Sequence, residues 1–266
     1  MKKTIIVLIL FLFSCLHFQA IAEDELDIAI LEYPPYEYTY NGQFHGVSVR
    51  LVEAVFQRIE QPIKLQVLPW SRALKFLKEG RIDGLIEVLV VPERLTYIDF
   101  SQVVLMEERI TLFVVEDSPI TFDGDLRALS EYHFGARQDF SYGTIFDEAV
   151  ANKVIKHMSI DVEFDTLLLK LCTGDIDILI GEKNTIHYVS SRIKVLQNTS
   201  IKRCKNIKRL SPIIQTTSAY MGFSKENKLI HIRDRFDEAL TEMKRDGSYE
   251  KIIEAWWSEN SLKSRD

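Results

Sequence analysis

The residues best placed to do chemistry in this chain are aromatic side chains set beside charges, each group following a short apolar run. Tyr33-Pro34-Pro35-Tyr36-Glu37-Tyr38 follows Leu26 to Leu31, Trp70 and Arg72 follow Ile63 to Leu68, and Pro92-Glu93-Arg94 follows Ile82 to Val91. If those runs are strands of an open α/β sheet, their carboxyl ends face the crevice where such sheets bind ligands. An aromatic wall there stacks on or covers a ligand, and an arginine grips a carboxylate through two parallel hydrogen bonds. Each group alone has a plainer reading: a rigid Pro-Pro turn, a core tryptophan, an exposed ion pair of little worth. Three consecutive strand ends of this kind favour a ligand site.

Signatures of catalysis and metal binding are missing from the sequence. It contains no Gly-x-Ser-x-Gly, His-Glu-x-x-His, Gly-rich phosphate loop or Cys-x-x-Cys. The six histidines are scattered without metal-ligand spacing. The expectation is a protein without catalytic residues, cofactor or metal.

Apolar runs alternate with helical periodicity along the chain, the pattern of an α/β fold. Ser48 is expected to cap a helix carrying Leu51, Val52, Val55, Phe56 and Ile59, closed by Pro62. A short helix, Ser71 to Lys78, stops at Gly80. A second unit starts with a strand at Tyr132 to Arg137. Helices at Tyr142 to Asn152 and Thr166 to Cys172 follow, then a strand at Ile176 to Ile180 between Gly174 and Gly181. The last strand spans Ala219 to Phe223, and helices at Lys228 to Lys244 and Tyr249 to Trp257 meet at Asp246-Gly247. Two such units with a helical tail suggest two lobes and a cleft.

Composition agrees with a globular domain: 266 residues, 46% hydrophobic, 27% charged, formal net charge −6. The acidic balance argues against nucleic acid, which needs a basic stripe. Met1-Lys2-Lys3, the apolar stretch Thr4 to Leu16 and Ala20-Ile21-Ala22 read as a signal peptide, residues 1–22. Its apolar stretch is shorter than the roughly 18 residues of a spanning helix, so export is preferred to anchoring. Leu12-Phe13-Ser14-Cys15 loosely resembles a lipobox that would tether the chain through Cys15, but Phe13 fits such a site poorly. Export would put Cys172 and Cys204 in an oxidising compartment. They either pair there or are two small buried residues.

At these residues the sequence resembles the family-3 periplasmic solute-binding proteins, the amino-acid-binding components of ABC importers. The resemblance rests on Tyr-Pro-Pro-Tyr-Glu-Tyr at 33–38, Gly46 before the first helix, and Pro69-Trp70-Ser71-Arg72-Ala73-Leu74 leading to Leu77 through Gly84. It continues with Glu93-Arg94 ahead of Phe100-Ser101, Gly174 through Glu182, Asp246-Gly247-Ser248-Tyr249, and Trp256. No single motif decides it; the ordered set does, and the Pro-Trp-x-Arg-Ala run marks a subgroup.

The resemblance implies the type II two-lobe α/β fold with a two-strand hinge near Val104 to Glu108 and Thr216 to Tyr220. Lobe I would comprise 23–104 plus 220–266, and lobe II 105–219. It implies a periplasmic monomer that captures a small polar ligand by lobe closure and delivers it to an importer's membrane permease. Tyr33 and Trp70 would be walls, with Tyr36 in the same loop and Arg72 an extra cleft cation. Arg94 would hold an α-carboxylate and Glu182 would face an α-ammonium. Arg137, Ser141 and Tyr142 would border a helix start. The family commonly has Gly-x-Thr-x-Thr before Glu-Arg; here that stretch is Glu87-Val88-Leu89-Val90-Val91, so an acid has appeared and both hydroxyls are gone. The usual Gly-Thr of the second lobe is Phe140-Ser141. An amino acid or related carboxylate is therefore expected. Two other classes stand beside it: an enzyme similar to cyclohexadienyl dehydratases, with Glu182 as the cleft acid, and a ligand sensor for a membrane receptor.

Overall fold

In the computed structural model, residues 24–196 and 206–260 are described. The expected signal peptide, Cys15 and Cys204 lie outside them. The strands are β1 (Leu26–Ile30), β2 (Tyr38–Tyr40), β3 (Gln43–His45), β4 (Ile63–Val67), β5 (Gly84–Leu89), β6 (Ile98–Phe100), β7 (Met106–Val115), β8 (His133–Arg137), β9 (His157–Asp161), β10 (Ile178–Glu182), β11 (Ile207–Arg209) and β12 (Gln215–Ser224). The helices are α1 (Val47–Arg58), α2 (Trp70–Lys78), α3 (Thr144–Ala151), α4 (Phe164–Thr173), α5 (Lys183–Leu196), α6 (Ile230–Asp246) and α7 (Ser248–Glu259).

The main sheet runs β4-β1-β5-β12-β7-β10-β8-β9, with β6 added to β12 and β11 to β7. β1 is parallel to both β4 and β5, and β8 is parallel to both β9 and β10. Between these parallel groups lie β12 and β7, antiparallel to each other from Gln215–Ile110 to Ala219–Met106. The two α/β groups are therefore joined through this long ladder. Side chains of β10 alternate as a strand must: Leu179 joins one core with Leu171, Ile176 and Ile186, while Ile178 and Ile180 join another with Leu112, Phe134 and Phe146.

β5 is irregular at the position that matters most. Opposite it, Tyr220 pairs with Val88 but Gly222 pairs with Leu85, so β5 carries one extra residue. Glu87 lies in that bulge at φ 58°, in the left-handed region. Such a bulge position favours glycine, and a side chain there costs about 1–2 kcal/mol.

Several expectations need correction. Ser48 does not cap α1: the N-cap is Gly46, without a side-chain bond, and Ser48 is buried inside the first turn. The leading amides are met by backbone carbonyls instead, Val47 N donating to Pro35 O (3.2 Å) and Ser48 N to Tyr36 O (3.0 Å). Gly181 lies within β10 rather than bounding it. The β2–β3 hairpin, β6, β9, β11 and α5 were not anticipated as elements, and β7 only as a hinge segment near Val104 to Glu108. β7 is obscured by Glu107-Glu108-Arg109, which interrupts its apolar run. Cys172, buried in α4, is disulfide-bonded.

Gly46 sits at φ 133°, and a Cβ there would lie 1.9 Å from the Tyr36 carbonyl oxygen that receives α1's amides. Gly46→Ala is expected to lower unfolding free energy by about 2–4 kcal/mol. Gly42→Ala, with nothing within 4 Å, should cost about 1 kcal/mol for its positive φ. Urea unfolding of both variants checks the contrast, and equal losses would refute it.

Candidate functional site

A narrow pocket of about 20 Å³, space for little more than one water, lies at the carboxyl ends of β1 and β5. Its lining includes Tyr33, Trp70, Glu87, Arg94, Glu108, Phe140, Ser141 and Tyr142. Tyr33 and Trp70, from separate strand ends, flank Phe140, with ring centroids 5.7 and 5.3 Å from it. Tyr142 and Phe164 close round the same ring at 6.4 and 6.3 Å.

Arg94 is buried beneath this aromatic group, its guanidinium 4.8 Å from the Trp70 ring centroid. Nη1 donates to Leu89 O (3.0 Å) and Nη2 to Asp139 O (3.1 Å). Burial lowers its pKa from the ordinary arginine value. Two carbonyls thus orient the fork and leave further N–H groups for an acceptor. Asp139, at φ 57°, is the meeting point of the two halves. Its carbonyl also accepts from Trp70 Nε1 (2.7 Å), and its carboxylate accepts from the Ser71 hydroxyl.

Arg137 stands outside the pocket lining. It donates from Nε to Val162 O (2.7 Å) and from Nη1 to Glu32 O (3.2 Å), with Phe140 and Phe164 against its plane. It ties the end of β8 to the segment after β1. Ser141 and Tyr142 line the pocket in a turn held by Asp147, which accepts from the Ser141 hydroxyl and from Tyr142 N (3.0 Å). The Tyr142 hydroxyl accepts from Arg137 N (2.7 Å).

Three more expected site residues, besides Arg137, sit outside the lining. Arg72 is exposed on α2 and does not line the pocket, because the helix turns it away from Trp70. Tyr36 is buried behind Tyr33, centroids 5.6 Å apart, and its hydroxyl accepts from Asn184 Nδ2 (3.0 Å). Glu182 is buried outside the lining, its Oε2 accepting from Asn184 N (2.7 Å) and Thr185 N (2.8 Å). The glutamate folds back onto the first amides of α5 and stabilises that helix start. Three residues beyond those expected join the site: Glu108, Phe140 and Asp139. Phe140 had a signal, an aromatic where glycine is usual; Glu108 and Asp139 had none.

The charge balance inside is unusual. Glu37, Glu87, Glu108 and Glu182 are all buried. The Ser48 hydroxyl donates to Glu87 Oε1, and Tyr33 donates to Glu108 Oε2 (3.3 Å). The Glu87 and Glu108 carboxyls also lie close enough to act on each other, a pairing that favours the protonated form. Desolvation and the neighbouring acids push Glu108 well above the carboxylate range. Desolvation, offset in part by these hydrogen bonds, raises Glu87 to about 7, and desolvation likewise raises Glu182 to about 7. Glu37, with neither oxygen in a regular hydrogen bond, is also raised, by desolvation first and Glu87 second.

The family model of the bacterial extracellular solute-binding proteins, family 3, matches residues 26–259, and the chain belongs to that family. The probable amino-acid-binding protein YxeM of Bacillus subtilis (strain 168) is 22% identical over 229 residues, 85% of this chain and 81% of that protein. Among solved structures, a histidine kinase sensor domain with similarity to periplasmic binding proteins matches with TM-score 0.75. It is 21% identical and covers 88% of this chain and 96% of its own. The arginine-, lysine-, histidine-binding protein ArtJ from Geobacillus stearothermophilus matches with TM-score 0.72 and 20% identity, covering 88% and 96%. The fold is the two-lobe α/β fold of periplasmic binding proteins. Among the described residues no helix is long and apolar enough to cross a membrane, and no group of metal-ligating side chains is present.

The raised carboxyls have a consequence for stability. A carboxyl that titrates higher folded than unfolded stabilises the fold at low pH, and that contribution disappears as pH rises through its folded pKa. Glu87 and Glu182, at about 7, place the loss between the ordinary carboxylate range and neutral pH. The melting temperature should therefore be higher near about pH 5.5 than near about pH 8, and Glu87→Gln should flatten the difference. A melting temperature that rises over this interval would contradict the burial of protonated carboxyls.

Proposed function

We propose that this chain captures a small polar carboxylate, an amino acid or close relative, by closing its lobes, and delivers it to an ABC importer outside the cytoplasm. The observation that carries the reading is Arg94: a buried guanidinium lining an aromatic pocket, its orientation held by two backbone carbonyls. A desolvated, pre-oriented fork suits a carboxylate better than any neutral group. Tyr33, Trp70 and Phe140 supply the apolar contact. Lobe I would comprise 23–104 and 220–266 and lobe II 105–219, with β7 and β12 as the hinge strands. Asp139 would be the closure contact, since its carbonyl receives both Trp70 and Arg94. The protein would act as a periplasmic monomer after removal of its leader, without catalysis. The amino-acid ligands named for YxeM and ArtJ are in keeping with this assignment.

One observation favours a second reading. A protonated carboxyl lining the pocket, at Glu87 or Glu108, is what a dehydratase would need to protonate a leaving hydroxyl. Recovery of the bound compound separates the two: unaltered for a binding protein, consumed for an enzyme.

A thermal-shift screen of the mature chain against amino acids, dicarboxylates, small peptides and polyamines should show a rise with carboxylate-bearing amino acids. Arg94→Ala is expected to abolish that rise while the far-ultraviolet circular dichroism stays that of the folded protein. Trp70→Phe keeps an apolar ring but loses the hydrogen bond to Asp139, and should weaken binding by about 1–3 kcal/mol. Undiminished affinity in Arg94→Ala would remove the carboxylate assignment.

A further inference from the structure

Glu182 stands in sequence where an ammonium partner was expected, but its carboxylate is held by the amides of Asn184 and Thr185 and it does not line the pocket. The acids that do line it are Glu87 and Glu108. They come from different strands, the bulge of β5 and the ladder strand β7, and among the described residues no Lys or Arg is bonded to either. Glu87 is 95% buried, and its Oε2 receives no hydrogen bond from any donor among the described residues. The Glu108 carboxyl is its neighbour in the pocket. Two carboxyls can meet away from water only with a proton or another cation between them.

We propose that Glu87 and Glu108 together form the seat of the ligand's ammonium group, and that the arriving ammonium displaces a proton the two carboxyls otherwise share. The proposal rests on the amino-acid reading and deepens it: Arg94 takes the carboxylate, and this pair takes the ammonium. The balance is simple. Before binding, two carboxyls and one proton carry a single negative charge. Binding brings one ammonium and releases that proton to the buffer, so the seat again carries one negative charge. The pocket never holds two uncompensated carboxylates, the state that burial disfavours most.

The surroundings support this exchange. The groups facing the pair are the Tyr33 hydroxyl, Tyr36, Glu37, Glu182, Tyr142 and Tyr249. All are acids or phenols, while Arg94, the cation that lines the same pocket, is bonded to backbone carbonyls instead. Burial holds Glu87 near 7, where a proton is readily exchanged at neutral pH. The backbone points the same way: Glu87 keeps its side chain at φ 58°, a strained position that glycine would relieve.

Isothermal titration of the mature chain with the twenty protein L-amino acids, in phosphate and in Tris near pH 7, tests the exchange. For those that bind, the enthalpies should differ between buffers by an amount corresponding to release of up to about one proton per ligand. Glu87→Gln and Glu108→Gln should each lower affinity at least about tenfold and remove the buffer dependence. Glu87→Gly, which the backbone accepts, should lose affinity while melting higher than the parent. Glu182→Gln should leave proton release in place. A second arm uses ethylammonium chloride against equal sodium chloride, reading the melting temperature. A rise that both Gln variants abolish upholds the cation seat even if every amino acid is silent, in which case the carboxylate reading alone falls. Amino-acid binding without proton release, or unchanged in the Gln variants, overturns the seat and leaves the Arg94 assignment standing. Silence in both arms overturns both.

Discussion

Desolvation of charge is the constraint on which this structure turns. Four carboxyls and two guanidiniums are buried near the carboxyl ends of the central strands, where an unpaired charge would cost several kcal/mol. Five of the six are accommodated in one of three ways. Arg94 and Arg137 are bonded to backbone carbonyls rather than to acids. Glu182 is turned onto helix amides. Glu87 and Glu108 are set against each other, with Glu108 pushed well above the carboxylate range. The acids and the guanidiniums are thus not allowed to neutralise one another, and that separation keeps a positive and a negative feature available in one pocket.

The fold enforces the separation. Arg94 lies just beyond β5, while Glu108 lies on β7 opposite Thr217 of β12. β7 and β12 join the two parallel groups of strands, so Glu108 sits on the ladder that any rotation between the lobes must twist. Asp139 provides the opposite contact. Its left-handed backbone aims one carbonyl at both Trp70 Nε1 and Arg94 Nη2. A single peptide oxygen of the turn after β8 thereby meets both the tryptophan that follows β4 and the arginine that follows β5.

Much of this was legible in the sequence, and what was not has physical causes. β1, β4, β5 and the helices α1, α2, α6 and α7 follow from local periodicity, which depends only on which face each element buries. Tyr33, Trp70 and Arg94 were found because strand ends in an open sheet predict where side chains converge. Ser48 was misread because a serine ahead of an apolar stripe looks like a cap. Its hydroxyl instead serves a partner 39 residues away, and the helix amides use carbonyls of the 35–36 loop. Asn41-Gly42 is a hairpin signal, and the β2–β3 hairpin it closes could have been read. Glu108 could not, since nothing local tells which residue of Glu107-Glu108-Arg109 points inward. Arg72 and Glu182 carried over by position alone: a helical turn faces the first to solvent, and the extra methylene of glutamate lets the second reach its own helix.

The bulge in β5 ties stability to site. Removing one residue there would let β5 pair regularly with β12, and a glycine would accept φ 58° without strain. The chain does neither: it keeps a glutamate whose side chain is desolvated and whose backbone is strained. A residue held against both penalties at the floor of a pocket is poorly explained by packing, because an apolar side chain or none would fill the same space more favourably. It is well explained if the carboxyl meets a cation. Stability and binding then oppose each other at this one position, with β5 regular enough to hold the sheet together and irregular at the residue that faces the ligand.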